Sequence, residues 1–182
     1  GVHVVTAMRL ASRKRPMDTL RVLRGARAML DPSVPLRATI VGEGPQRRRM
    51  QRHLDRRGMD WVRLPGRVDR STLRDLHHDA DAYLSAARLE AFGIAALEAS
   101  AAGVPVVALR GTGTEDFVTD GVDGLLADSD VMLAGALAHL AADAPLRSRM
   151  RAHLVAAPSG HDWSAVVGAT LAQYDRAAGR VP

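Results

Sequence analysis

Residues 82–109 of this chain read Ala82-Tyr83-Leu84-Ser85-Ala86-Ala87-Arg88-Leu89-Glu90-Ala91-Phe92-Gly93-Ile94-Ala95-Ala96-Leu97-Glu98-Ala99-Ser100-Ala101-Ala102-Gly103-Val104-Pro105-Val106-Val107-Ala108-Leu109. A short apolar run stands at each end of this stretch, and a helical pattern lies between them. Such alternation predicts two parallel strands joined by a helix. The stretch also carries one carboxylate in the loop before the helix and a second about two helical turns further on.

The same alternation continues in both directions along the chain. It predicts an α/β fold, with a Rossmann-like doubly wound parallel sheet flanked by helices. A chain of 182 residues fits a single domain of this kind. Further strands are predicted at Val2–Ala7, Leu36–Val41, Trp61–Leu64 and Leu125–Leu126, and further helices from Pro16 to about Leu30, after Pro45, from a cap at Ser71, and over Ser129–Ala142, Pro145–Ala156 and Asp162–Ala177.

Composition narrows the class of protein. The chain contains no cysteine, which excludes disulfide bonds and thiolate chemistry. Its first apolar segment, Val2-His3-Val4-Val5, is too short for a membrane span or a signal peptide. The net charge is +5, and the basic excess is nearly all arginine because Lys14 is the only lysine. We therefore expect a cytoplasmic protein.

The two carboxylates of Glu90 and Glu98 are the main chemical signal. The backbone N–H groups near Gly93, at the start of the helix between them, are free to face an anion. Carboxylates that accept from vicinal hydroxyls, beside a helix N-terminus that favours phosphate, make a nucleotide-sugar site. The alternative is structural, because glutamate is a good helix former and Glu98 could be a solvated helical residue.

The run from Glu90 to Ala108 resembles the E-x(7)-E motif and the following strand of retaining glycosyltransferase family 4, which has a GT-B fold. The family's usual Pro-Ser before the first glutamate is absent, since Ser85-Ala86-Ala87-Arg88-Leu89 stands there. The resemblance covers nearly the whole chain. It implies that residues 1–182 form the donor-binding half of a GT-B fold, with a C-terminal crossover helix at about 162–178 and an N-terminal acceptor domain outside this chain.

The resemblance also implies roles for individual residues. Glu90 would bind the sugar hydroxyls of a nucleoside-diphosphate sugar, and Glu98 would bind the ribose. Arg9 and Lys14 match a basic pair of the family, five residues apart, that neutralises the diphosphate leaving group. The remaining expected contacts are those of the amides near Phe92, Gly93 and Ile94 with the diphosphate, and of Gly42, Arg67 and Val68 with the nucleoside.

No metal and no cofactor are expected, and the nucleotide sugar is a substrate. Asp79-Ala80-Asp81 matches a metal-binding D-x-D pattern, but its place just before a buried strand favours a structural role. Gly42-Glu43-Gly44 resembles the start of a dinucleotide fingerprint. Arg47 replaces the third glycine of that fingerprint, which argues against a bound NAD.

Two other functions remain open. A nucleotide-sugar epimerase of the same architecture would use similar donor contacts. A non-catalytic module that binds an anion, a nucleic acid or a membrane would use the arginine-rich helix after Pro45. Few aromatic residues accompany those arginines, so we expect no nucleic acid. The expected partners are the donor, the N-terminal domain and, for the full-length enzyme, the inner face of the membrane.

Overall fold

The computed structural model describes residues 1–156 and 163–178. The strands are β1 Val2–Ala7, β2 Leu36–Val41, β3 Val62–Gly66, β4 Ala82–Ser85, β5 Val106–Leu109 and β6 Gly124–Ala127. The helices are α1 Pro16–Met29, α2 Arg47–Arg57, α3 Arg70–His78, α4 Ile94–Ala101, α5 Asp130–Ala142, α6 Ala144–Ala156 and α7 Trp163–Ala177. Two short 3-10 turns lie at Ser12–Lys14 and Gly113–Asp116.

The six strands form one parallel sheet in the order β3-β2-β1-β4-β5-β6. The chain first winds outward from β1 to β3 and then returns to the other side of β1, so the direction of winding reverses between β1 and β4. This is a doubly wound sheet. The predicted fold class, an α/β fold with a Rossmann-like doubly wound parallel sheet flanked by helices, is therefore confirmed.

Each face of the sheet has its own core because side chains alternate along a strand. In the larger core, on one face of the sheet, Val4 of β1 and Leu84 of β4 pack with residues of α1, α2 and α5, including Leu23 and Leu137. In the smaller one, Val5 of β1 packs with alanines of α4 and with strand residues of β4 and β5. Strands buried on both faces explain the near-continuous apolar runs of the sequence.

The predicted bounds of β1 and β2 agree with the structure to the residue. The third strand begins at Val62, one residue later than predicted, and extends to Gly66. The predicted cap at Ser71 is wrong. Asp69 caps α3 instead, because its carboxylate accepts a hydrogen bond of 2.8 Å from the Thr72 amide, and Ser71 lies inside the helix.

The last helix predicted at about 162–178 is present as α7, which spans Trp163–Ala177, while residue 162 lies outside the described residues. Within the described part of the chain, no helix is long and apolar enough to cross a bilayer. The arginine-rich helix after Pro45 is α2, and it buries only Met50 and Leu54. Arg47 is partly buried and donates to the Leu64 carbonyl at 2.8 Å, whereas the other arginines of α2 are exposed.

Candidate functional site

A cavity of about 390 Å³ opens at the carboxyl ends of β1 and β4. This is the point where the winding of the sheet reverses, and open α/β sheets bind ligands there. Its wall includes six of the residues predicted from the sequence, which come from the loop after β1 and from the loop and helix after β4: Arg9, Lys14, Glu90, Phe92, Gly93 and Ile94.

Lys14 and Glu90 form an ion pair inside this cavity. The Lys14 Nζ atom donates to Glu90 Oε2 at 2.5 Å, and the two side chains are 29% and 20% exposed. Lys14 ends the 3-10 turn after β1, whereas Glu90 lies in the loop after β4. The sequence predicts both residues at the site but gives them different tasks, and their direct contact is a finding of the structure.

The N-terminus of α4 faces the same cavity. Gly93 precedes the helix with a φ of 86°, and no side chain caps the first turn. The first amides of a helix have no intrahelical partner, and the helix dipole adds partial positive charge there. Gly93, Ile94 and Ala95 line the cavity at this helix end, so an anion in the cavity would meet these amides.

The loop of Glu90 is held in place by the loop after β5. The Gly113 amide donates to the Glu90 carbonyl at 2.9 Å. A β-carbon on Gly113 would lie 2.0 Å from the Ala91 carbonyl oxygen, and one on Gly93 would lie 2.9 Å from Thr114 Cγ2. The two loops therefore fit together only with glycine at both contact points.

Tyr83 forms the floor of the cavity and is not predicted by the sequence reasoning. Its buried hydroxyl donates to the Ala7 carbonyl at 3.0 Å and accepts from the Ala7 amide at 3.2 Å, which joins β4 to β1. Burial raises the pKa of Tyr83 to about 12, and the charges of Glu90 and Glu98 act in the same direction. The sequence carries no signal that marks it, because a tyrosine in a buried strand resembles any core aromatic.

Four predicted residues do not line this cavity. Glu98 is exposed on α4, although its charge reaches Tyr83. Gly42 has a φ of 131°, and a β-carbon there would lie 1.9 Å from the Met8 carbonyl oxygen, so the packing of the chain already requires glycine. Arg67 is exposed, and Val68 lines a different cavity. Their contacts with a nucleoside remain predictions.

That second cavity, of about 360 Å³, lies between α3 and the strands β2 and β3. Its polar wall includes the His3 ring, which contacts Thr39 Oγ1 at 2.9 Å and Asp79 Oδ2 at 3.1 Å. Asp79 also accepts from Arg37 at 2.8 Å, and Asp81 accepts from the His3 amide at 2.8 Å. Both acids of the D-x-D pattern are thus engaged in structural contacts.

Burial keeps the His3 ring neutral, since it lowers the pKa of His3 more than the nearby Asp79 raises it. The pKa of Asp79 is lowered in turn, mainly by its hydrogen bond with Arg37. Within residues 1–156 and 163–178, no group of three or more histidine, aspartate or glutamate side chains is placed to hold a metal ion.

Comparison with known proteins gives a consistent result. The chain matches the family model of glycosyl transferases group 1 over residues 3–153. It is 34% identical over 165 residues to D-inositol 3-phosphate glycosyltransferase of Kribbella flavida, an alignment that covers 84% of this chain and 39% of the relative. It is also 34% identical over 143 residues to glycogen synthase of Mycobacterium tuberculosis, with 75% of this chain and 34% of the relative covered.

Among solved structures, the Anabaena protein HepE in complex with UDP and glucose superposes with a TM-score of 0.72 at 22% identity, covering 86% of this chain and 43% of that one. At this identity the likeness shows the fold alone. The chain spans less than half the length of the curated relatives it matches. The family model nevertheless covers most of the sequence, and the chain therefore belongs to the glycosyl transferases group 1.

Proposed function

We propose that this chain binds the nucleoside-diphosphate sugar donor of a retaining glycosyltransferase of family 4. The observation that carries the proposal is the Lys14–Glu90 pair, which lies in one cavity with the uncapped N-terminus of α4. The cavity thus contains groups that can bind a phosphate and a carboxylate that can bind a sugar, and such a donor requires both. Its diphosphate needs cations and amides, and its sugar needs a carboxylate that accepts from hydroxyls.

Each residue has a defined task in this proposal. The donor's diphosphate takes up the charge of Lys14, together with Arg9 and the amides near Phe92, Gly93 and Ile94. Glu90, released from Lys14, accepts from sugar hydroxyls. Glu98 meets the ribose from the exposed side of α4, and the loops that carry Gly42, Arg67 and Val68 meet the rest of the nucleoside.

The chemistry follows from the charges. As the glycosidic bond of the donor breaks, negative charge grows on the diphosphate leaving group. Positioned cations and helix amides stabilise that charge without reorganising, which lowers the barrier. Lys14 and Arg9 are suited to this task, and no metal or other cofactor is required in the proposal.

Isothermal titration calorimetry tests the proposal directly. UDP, GDP and their glucose conjugates are titrated into the chain at low and moderate salt. We expect one nucleoside diphosphate to bind at a single site and its sugar conjugate to compete for it. Lack of any binding would contradict the proposal, and so would affinity that collapses with salt in the steep manner of a polyanion bound to a basic surface.

The second half of the proposal concerns the whole enzyme. The acceptor is presented by an N-terminal domain, so the 182-residue chain alone should transfer little or no sugar, because the reacting groups must be held together. The test assays the chain and the full-length protein with one donor and acceptor. The anomeric configuration of the product, read by NMR, decides whether the transfer is retaining.

A specific observation favours a further contact of the full-length enzyme with the inner face of the membrane. Burial is the main cause that lowers the pKa of His53. Four arginines of α1 and α2 lie close enough for their charges to lower it further: Arg21, Arg24, Arg56 and Arg57. A basic helical surface attracts anionic lipid. Sedimentation with vesicles of phosphatidylglycerol and phosphatidylcholine tests it, and equal binding to purely zwitterionic vesicles would contradict it.

A further inference from the structure

Arg15 has an unusual backbone conformation. With φ 54° and ψ 46° it lies in the left-handed region, and within residues 1–156 and 163–178 it is the only non-glycine residue with positive φ. A β-carbon is strained in that region, so glycine normally occupies it. Such a strained residue persists where its surroundings hold it in place, and it invites a search for the task of its side chain.

The Arg15 guanidinium bridges three parts of the molecule. Its Nη1 atom donates to the Ala86 carbonyl at 2.8 Å. Nη1 and Nη2 also donate to the two carboxylate oxygens of Asp130, at 3.1 and 2.6 Å. Nε lies 3.3 Å from the Asp18 carboxylate. The side chain is only 19% exposed, so these contacts form in a partly desolvated environment where a bidentate pair is rigid.

These contacts connect the two loops that carry the Lys14–Glu90 pair. Arg15 directly follows Lys14, and Ala86 lies four residues before Glu90, just after β4. Asp130 is the first residue of α5, a helix that packs on α1 and on the sheet. The Arg15 hydrogen bond is the main cause that lowers the pKa of Asp130, so this carboxylate is charged at neutral pH.

A second arginine strengthens the connection. Arg88, in the loop between Ala86 and Glu90, contacts Asp130 Oδ1 at 3.3 Å. Asp130 therefore accepts from the β1–α1 loop through Arg15 and from the β4–α4 loop through Arg88. The Gly113 amide also holds the Glu90 carbonyl. The loop of Glu90 is thus held through Ala86 and Arg88 on one hand and through the Glu90 carbonyl on the other, and Arg15 directly follows Lys14.

We propose that the Arg15–Asp130 pair is a positioning device that sets Lys14 against Glu90 and thereby shapes the candidate donor site. Its consequence for donor affinity rests on the function proposed above, whereas its effect on the Lys14–Glu90 pair does not. Arg15 and Asp130 do not line the cavity, so they act through the two loops and not on a ligand.

The sole lysine of the chain makes the pair directly measurable. Acylation by a water-soluble N-hydroxysuccinimide ester, followed by peptide mass spectrometry, reports the reactivity of Lys14, with the amino terminus of Gly1 as internal reference. The variants are Arg15→Gly and Asp130→Asn. Glu90→Gln removes the ion pair itself, so it gives the acylation rate expected for a Lys14 side chain without its carboxylate partner.

Arg110→Gly is the matched control. It also removes an arginine that bridges two aspartates, here Asp120 and Asp128, in a place outside the cavity. Glycine at position 15 relieves the strain of the left-handed backbone, which offsets part of the stability lost with the Arg15 contacts. Thermal melting of each variant identifies any change in Lys14 reactivity that comes from unfolding.

We expect Lys14 in both Arg15→Gly and Asp130→Asn to be acylated several-fold faster than in the parent, because each variant removes the bidentate pair. Arg110→Gly should match the parent. A rate unchanged in both Arg15→Gly and Asp130→Asn would overturn the inference.

A parallel titration with UDP-glucose separates this inference from the proposed function. If the parent binds the donor, Arg15→Gly should bind it several-fold more weakly. If the parent binds no nucleotide yet Lys14 becomes more reactive in the variants, the positioning role stands and the donor-site proposal fails.

Discussion

Two cavities of this domain, the one at the ends of β1 and β4 and the one beneath α3, are nearly equal in volume, at about 390 and 360 Å³, but they differ in what their polar groups do. In the cavity beneath α3, the His3 ring is engaged by Thr39 and Asp79. In the cavity at the ends of β1 and β4, Lys14 and Glu90 come from two separate loops and face the open space together.

Volume alone therefore does not identify a binding site. Side chains committed to other protein groups have little capacity left for a ligand. Lys14 and Glu90 also contact a protein group, but that group is each other, at an open cavity beside an uncapped helix end. A ligand that carries both an anion and hydroxyls can replace each partner of this pair, at the point where the winding of the sheet reverses. The comparison therefore predicts that mutations in the first cavity change ligand affinity, whereas mutations in the second change stability.

The largest effect on affinity is expected for Lys14→Ala. Loss of a charge-assisted hydrogen bond costs about 1.5–3 kcal/mol, which corresponds to roughly 10- to 150-fold weaker binding of a nucleoside diphosphate. Arg37→Ala is the matched control, because it removes one cationic side chain from the wall of the second cavity. Calorimetry on both variants should show the loss for Lys14→Ala alone, and equal losses would remove the distinction between the cavities.

The sequence predicts site residues whose chemical type is conspicuous in their surroundings, and it misses residues whose role depends on how the chain packs. Glu90 and Lys14 are conspicuous as an acid before a helix and a lone lysine in a basic loop. Tyr83 is missed because a tyrosine in a buried strand resembles any core aromatic. Arg15 is missed because residue identity does not reveal a positive φ when the residue is not glycine.

Secondary structure shows the same division. The bounds of β1 and β2 are set by local apolar runs and can be predicted to the residue. Asp69 and Ser71 are both good N-cap residues for α3, and the structure has Asp69 as the N-cap. The second cavity has no sequence signal, because it depends on how α3 lies over β2 and β3.

The next largest effect separates the two glutamates. We expect Glu90→Gln to lower the affinity for the sugar conjugate by roughly tenfold and to change the affinity for the diphosphate much less. Glu98→Gln should weaken both ligands alike, since the ribose is common to them. Paired titrations with UDP and UDP-glucose, or the GDP equivalents, provide the comparison. Equal losses on both ligands for Glu90→Gln would contradict its role at the sugar.

A smaller effect, on stability, is expected at the floor of the first cavity. Tyr83→Phe removes the hydroxyl that bonds both the amide and the carbonyl of Ala7. Leaving buried polar groups without a partner costs about 1–3 kcal/mol. Urea unfolding should show this loss, and a variant as stable as the parent would mean that the link between β1 and β4 does not depend on the hydroxyl.

The smallest effect concerns buried His77 of α3, which meets Tyr83 of β4 in a T-shaped contact with ring centroids 6.0 Å apart. Burial lowers the pKa of His77 below its ordinary value of 6.5, and the charge of His78 adds to this. In the unfolded chain His77 takes up a proton near its ordinary pKa, whereas in the folded chain it takes up the proton only at a lower pH. Stability is therefore fully present above about pH 6.5 and falls as the pH drops below it.

His77→Phe should remove part of that fall, because phenylalanine keeps an aromatic ring against Tyr83 and carries no proton. His3 remains in the variant, and its lowered pKa has the same sign, so some pH dependence should persist. Urea unfolding at pH 7.5 and pH 5 measures the difference, with His139→Gln on the exposed side of α5 as control. If His77→Phe loses as much stability on acidification as the parent, buried His77 is not the source of the pH dependence.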